Sequence, residues 1–166
     1  IGEHLEMIAG FRLNHFMSLG PKLVYTYIDN KIKTENILGT ESRNGILQHY
    51  LVPEPRLSLK YGIGSKASVK LGYARTSQYI NQIFNTDTPT PTSQWQLVNN
   101  YIKPAVSDNL SLGVFANFDD NNFETSIEVY KRNIGRLYDF RDFANLVVNP
   151  HIETELLEGR GRTQGL

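Results

Sequence analysis

The chain has 166 residues, 17 basic and 17 acidic side chains and no cysteine. Zero net charge without a polybasic cluster gives no footing for nucleic-acid binding or for electrostatic anchoring at a membrane surface. Lack of cysteine excludes disulfide frameworks and thiolate metal sites, and no apolar run reaches the roughly 18 residues of a membrane-spanning helix. Hydrophobic residues make up 40% and charged residues 20%, which argues against disorder. The mean hydropathy of −0.36 resembles that of a soluble protein. Strands of a membrane barrel hide from such an average, because half of each strand faces water.

Along the chain, Leu5, Met7, Ala9, Phe11 and Leu13 alternate with Glu6, Ile8, Gly10, Arg12 and Asn14. A period of two defines a strand with one apolar face. A long polar excursion covers about 17–51, in which Lys22–Ile28 and Gly45–Leu51 read as a hairpin extending the wall. Next, Leu57, Leu59 and Tyr61 alternate with Arg56, Ser58 and Lys60. Gly62, Gly64 and Ser65 supply turn chemistry. The chain returns as Ala67, Val69, Leu71 and Tyr73 against Ser68, Lys70, Gly72 and Ala74, completing a hairpin with a matched apolar face.

After a second excursion over about 78–106, the pattern resumes at Leu110, Leu112, Val114, Ala116 and Phe118. Phe115 is the one bulky residue on its polar side. Asp119–Asn122 reads as a tight turn. Phe123, Thr125, Ile127 and Val129 then alternate with Glu124, Ser126, Glu128 and Tyr130. A third excursion spans about 133–152, and a sixth, poorly alternating strand is expected within Thr154–Leu166.

Short and long connections therefore alternate. The short ones fall near Ile1–His4, Gly62–Lys66 and Asp119–Asn122, a recurrence of just under ~60 residues that repeats architecture rather than sequence. Barrels of an outer membrane have small turns on one side and large loops on the other. Each apolar stretch covers about 9–11 residues, the length a tilted strand needs to cross a bilayer. Tyr61, Phe118 and Phe123 flank the short turns and fit an interfacial girdle or, equally, ordinary strand aromatics. The expected fold is all-β: antiparallel up-and-down strands forming part of a transmembrane barrel. About six strands cannot close such a barrel, so the chain is expected to be an internal piece of a larger one.

The run Glu54-Pro-Arg-Leu-Ser-Leu-Lys-Tyr61, a short turn, and Ser68-Val-Lys-Leu-Gly-Tyr-Ala-Arg75 resemble the barrel of TonB-dependent outer-membrane receptors. His4–Phe16, Asn99–Asn117 and Glu153–Gly165 are similar to further segments of it, more diffusely. The resemblance implies a barrel of about 22 strands with a plugged lumen in the outer membrane of a Gram-negative cell. It also implies energised uptake of a scarce nutrient such as a siderophore, vitamin or glycan. Implied partners are outer-membrane lipid, the rest of the barrel, a small-molecule or glycan ligand, and the energy-coupling complex reached through a plug. No plug domain or energy-coupling box lies in this sequence, which departs from the complete family pattern.

With the apolar face toward lipid, Arg12, Arg56, Lys60, Lys70, Glu124 and Glu128 are expected to line the lumen. Tyr79, Phe84, Trp95 and Tyr101 are loop aromatics suited to contacting a ligand, with self-packing as the competing reading. In the same loop, Pro89 and Pro91 would stiffen the run Thr86–Thr92. No catalytic, cofactor or metal site is expected. Gly62–Ala67 mimics a dinucleotide fingerprint, but a strand rather than a helix follows. Gly159-Arg-Gly-Arg162 allows a phosphate-binding nest, with strand glycines and lumenal arginines preferred. Asp119–Asn122 lacks the Gly and terminal Glu of a calcium loop. His4, His15, His49 and His151 show no ligand spacing. Glu124 and Glu128 lie about 13 Å apart along a strand, too far for a catalytic pair. The competing assignments are another outer-membrane barrel (porin, adhesin or assembly factor) and a soluble carbohydrate-binding β-sandwich.

Overall fold

A computed structural model describes residues 4–83, 94–118, 122–146 and 149–166. The fold is all-β. Its main element is an antiparallel sheet of six strands: β1 (Leu5–Leu19), β4 (Ile46–Ile63), β5 (Ala67–Gln78), β8 (Ala105–Phe118), β9 (Phe123–Phe140) and β10 (Leu156–Gly165), in that spatial order. Two hairpins stand apart from it. β2 (Lys22–Tyr27) pairs with β3 (Ile37–Arg43), and β6 (Ile80–Ile83) pairs with β7 (Gln94–Leu97). Each main strand neighbours its successor in the up-and-down order, and among the described residues β1 and β10 are open edges.

The two periodic faces emerge as expected. One ladder row joins Met7, Leu59, Leu71, Leu112 and Val129; the row below joins Leu5, Tyr61, Val69, Val114 and Ile127. These rows share one face of the sheet. Arg12, Glu54, Arg56, Lys60, Lys70, Gly113, Glu124 and Glu128 share the other. Gly64, at φ 62°, makes the β4–β5 turn with Ser65 and Lys66, and β5 follows at once. The turn reading of Gly62–Ala67 holds there. Most of the Asp119–Asn122 turn and of Ile1–His4 lies outside the described residues.

Three boundaries differ from the sequence reading. Lys22–Tyr27 pairs with Ile37–Arg43, whereas Ile46–Leu51 belongs to β4 and pairs with β1 as far as Leu19. β9 runs on to Phe140, pairing with β10 well beyond the last apolar alternation. Backbone groups pair whatever the polarity of their side chains, so a ladder outlasts the pattern that reveals it. The sixth strand begins at Leu156, after a 3-10 helix at Ile152–Glu155.

Burial is inverted relative to a soluble domain. The apolar face is bare: Phe11 is 70% exposed, Leu112 45% and Ile127 62%. The core lies instead where the long excursions meet. Ile83, Phe140 and Ile152 form it, with Tyr138, Ala144, Leu146 and Leu156 packed around them. Tyr27, Val98, Ile102 and Ala105 are buried nearby in sequence elements of the same excursions.

The apolar face is also slanted. On β1 it runs unbroken to Leu13, is interrupted at His15 and resumes at Met17, and the unbroken stretch is taken as its margin. Following the ladder row from Met7 leads to Val129, the last apolar residue of that face on β9 before Lys131. The upper margin thus drifts by the length of Met7–Leu13 over four strand spacings. At ~3.4 Å per residue and ~4.8 Å per strand, this is a slope of about 45° to the ladder rows.

Candidate functional site

On the polar face, Glu54 is the organising group. Its side chain has no solvent exposure. Oε1 accepts hydrogen bonds from Asn14 Nδ2 at 2.6 Å, Ser77 Oγ at 2.6 Å and the Ser77 backbone N–H at 2.7 Å. Oε2 lies 3.0 Å from Arg12 Nε and 4.0 Å from Arg56 Nη2. The register explains the assembly: Arg12 stands directly opposite Glu54, and Gly10 opposite Arg56. Pro53 and Pro55 flank the carboxylate, so the ladder from β4 to β5 ends at Arg56–Ala74 and Ser77 is free to turn its N–H toward Glu54.

Lower on this face, Lys60 pairs with Glu6 at 3.8 Å, and Lys70 Nζ sits 4.2 Å from the Phe115 ring centroid. Glu124 and Glu128 are exposed on β9, opposite Asn117 and Gly113. All six residues expected to line a lumen therefore share one face of the sheet. Arg12 and Arg56 converge on Glu54, whose only mark in the sequence is its place between Pro53 and Pro55.

The long excursions form a tied layer. Tyr27 Oη donates to Glu153 at 2.9 Å, and Tyr101 Oη donates to the Tyr25 carbonyl. The Tyr25 ring meets His151 edge-on at 4.1 Å, and Tyr27 meets Tyr101 at 5.1 Å. Burial, reinforced by the Glu153 carboxylate, pushes the Tyr27 phenol far above its usual range, so it stays a donor. Glu155 anchors the last excursion. It accepts Arg141 Nε at 2.8 Å, Arg141 Nη2 at 3.0 Å and the Asn145 N–H at 3.1 Å. Burial raises the Glu155 pKa, but these bonds and the Arg141 charge outweigh it and hold the carboxyl below the usual range. Tyr25, Gln96, Asn99, Tyr101, Pro150 and Glu153 line a cleft where the three excursions meet.

The loop aromatics divide. Tyr101 is spent on packing within the layer. Tyr79 stacks on Phe16 at 5.1 Å with rings nearly parallel. Trp95 stands 66% exposed on the β6–β7 hairpin. Phe84, with Pro89 and Pro91, lies outside the described residues.

A third grouping sits on the apolar side, just beyond the upper margin of the bare face. The row Arg75, Asp108, Asn133 and Arg162 follows directly on the row Tyr73, Leu110, Lys131 and Gln164. Arg160 lies one step further, opposite Gly135. The expectation that Arg160 and Arg162 face the lumen is therefore corrected. Pairing with β9 puts them on the side of Leu110 and Leu112. An extended paired strand also leaves no nest of successive N–H groups for a phosphate.

No set of three metal-ligating side chains converges among the described residues. No helix among them is long and apolar enough to cross a membrane, which says nothing of strands. No protein-family model, curated protein or solved structure matches the chain.

Proposed function

We propose that this chain is a wall segment of an outer-membrane β-barrel of the TonB-dependent receptor type, acting in energised uptake of a scarce nutrient. The observation that carries the reading is the slanted apolar margin. A planar hydrocarbon slab cutting across tilted strands produces an oblique boundary, and barrel strands tilt by about 35–45°. A soluble sandwich needs a second layer over Leu71, Leu112 and Val114, and all three stand exposed. The open edges β1 and β10 fit continuation of the wall by further strands.

In this reading the function is gated passage rather than bond chemistry. The tied excursions lie on the outer side and capture ligand. The face carrying Glu54, Lys60, Lys70 and Glu128 looks into the lumen and supports a plug. Receptor identity, as against another outer-membrane barrel, draws on the resemblance at Glu54–Arg75, and the nutrient is a siderophore, vitamin or glycan.

The 166 residues hold no cysteine, so labelling sites can be introduced into them one at a time. Single cysteines at Leu59, Leu71 and Leu112 are compared with cysteines at Ser58, Ser126 and Glu128 in the intact polypeptide in outer-membrane vesicles. A spin label on the first set should collide with oxygen dissolved in lipid, and on the second with a water-soluble nickel chelate. Equal accessibility of both sets to the chelate defeats the proposal.

A further inference from the structure

We propose that the basic cluster of Lys131, Arg136, Arg160 and Arg162, with Arg75 and Lys103 at its rim, is a binding site for a membrane lipid with a phosphorylated headgroup, whose acyl chain follows the apolar groove below. The inference rests on the membrane reading above. It adds a ligand site on the wall's outer surface, away from lumen and loops.

Position is the first reason. The cluster lies on the face of Leu110 and Leu112, on the long-loop side and directly beyond the apolar margin. A headgroup sits at that depth when the rows beneath it touch hydrocarbon.

Charge is the second. Six cationic side chains share this depression with two carboxylates, Asp108 and Glu158. Asp108 is already engaged. It receives Arg75 Nε at 2.8 Å, Arg75 Nη2 at 3.1 Å and Tyr73 Oη at 2.7 Å. Glu158 accepts Tyr138 Oη at 3.3 Å. Lys131, Arg160 and Arg162 are exposed and, among the described residues, have no carboxylate partner. Uncompensated cations beside hydrocarbon are unfavourable unless an anion joins them, and guanidinium forks match phosphate oxygens bidentately.

Backbone geometry is the third. Arg136 adopts φ 61°, and the β9–β10 register slips between Gly159 and Arg160. This bulge adds the Arg136 cation to the cluster, the sort of re-aiming that bulges provide. Gly135, opposite Arg160, keeps the floor of the depression open.

The groove supplies the fourth. Leu71, Leu110, Leu112, Val129 and Leu166 line it, and Lys131 borders both groove and basic depression. One amphiphile can therefore place an anionic head and an apolar tail in continuous contact.

The test uses the intact polypeptide purified in mild detergent and reconstituted into phosphatidylcholine vesicles. Bisphosphorylated lipid A and its dephosphorylated counterpart, with the same acyl chains, are offered in equal amounts. Retained lipid is counted by native mass spectrometry. The wild type should retain the phosphorylated form at least tenfold in excess. The variant K131Q/R160Q/R162Q should lose that preference, while K60Q/K70Q, altered on the opposite face, keeps it. All three should float with the vesicles equally. Equal retention of the two lipids by the wild type, an unchanged preference in K131Q/R160Q/R162Q, or displacement of the lipid by equimolar inorganic phosphate each overturns the site while leaving the membrane reading standing. Failure of the wild type to float overturns both.

Discussion

Arg12 Nε lies 3.0 Å from Glu54 Oε2, joining two adjacent strands through a carboxylate that no solvent reaches. Asn14 and Ser77 fill the other oxygen. Removing Glu54 strands two guanidinium groups, one amide and the Ser77 N–H together, which is costlier than losing a surface ion pair. We expect Glu54→Ala to destabilise the folded sheet by about 3 kcal/mol. Glu124→Gln, on the same face but exposed, should stay within about 0.5 kcal/mol. Urea titration of the vesicle-embedded protein measures both, and equal stabilities would show that the cluster contributes nothing.

Leu71 occupies the middle of the bare face, in the row of Leu59 and Leu112. Leu71→Arg should lower stability in vesicles by about 2–4 kcal/mol, the cost of a basic side chain at the bilayer midplane. Ser126→Arg, on the opposite face, should be tolerated. The same titration gives the contrast, and a well-tolerated Leu71→Arg would reverse the assignment of faces.

The Glu155 anchor predicts a pH response. Its carboxyl is held below the usual range in the folded state. A depressed carboxylate stabilises fully above the unfolded pKa, near 4.3 for glutamate, and that contribution fades as pH falls through the lower folded value. The last excursion should therefore loosen as pH drops below about 4, seen as a loss of amide-exchange protection, relative to the intrinsic rate at the same pH, at Arg141 and Asn145. Glu155→Gln should show the reduced protection already at neutral pH. Protection in the wild type that does not change between pH 6 and pH 3 would refute the anchor.

Trp95 is the chain's one tryptophan and stands exposed on the β6–β7 hairpin. Its fluorescence should be quenched readily by iodide, and Trp95→Ala should change stability by less than about 0.5 kcal/mol. If the loop layer captures ligand through this indole, a ligand-bound sample loses the quenching and Trp95→Ala weakens capture. Quenching equal with and without ligand would remove Trp95 from the site.

Five of the six main strands are legible because the period-two pattern persists wherever one face is apolar, whereas β10 alternates poorly. Leu57–Tyr61 and Ala67–Tyr73 needed no more than that and their glycine turn. Where apolar residues lose the period of two, as from Lys131 to Phe140, the strand continues without a signal. Gly45–Leu51 looked like half of a loop hairpin because sequence cannot say that its partner is the far end of β1. Arg160 and Arg162 lie on the face opposite to the one expected, since β10 has too few apolar residues to reveal its parity. The polar wall residues were readable from alternation. The burial of Glu54 was not, because it depends on Asn14 and Ser77, brought from strands distant in sequence.

The Tyr27–Glu153 and Tyr101–Tyr25 bonds stitch the three excursions to one another. Swapping the first of them for a counterpart from another protein would orphan the Tyr101 hydroxyl and the Glu153 carboxylate in the other two. Retargeting by transplantation thus has to move the trio as a single cassette, and drift in one member constrains what its companions can become.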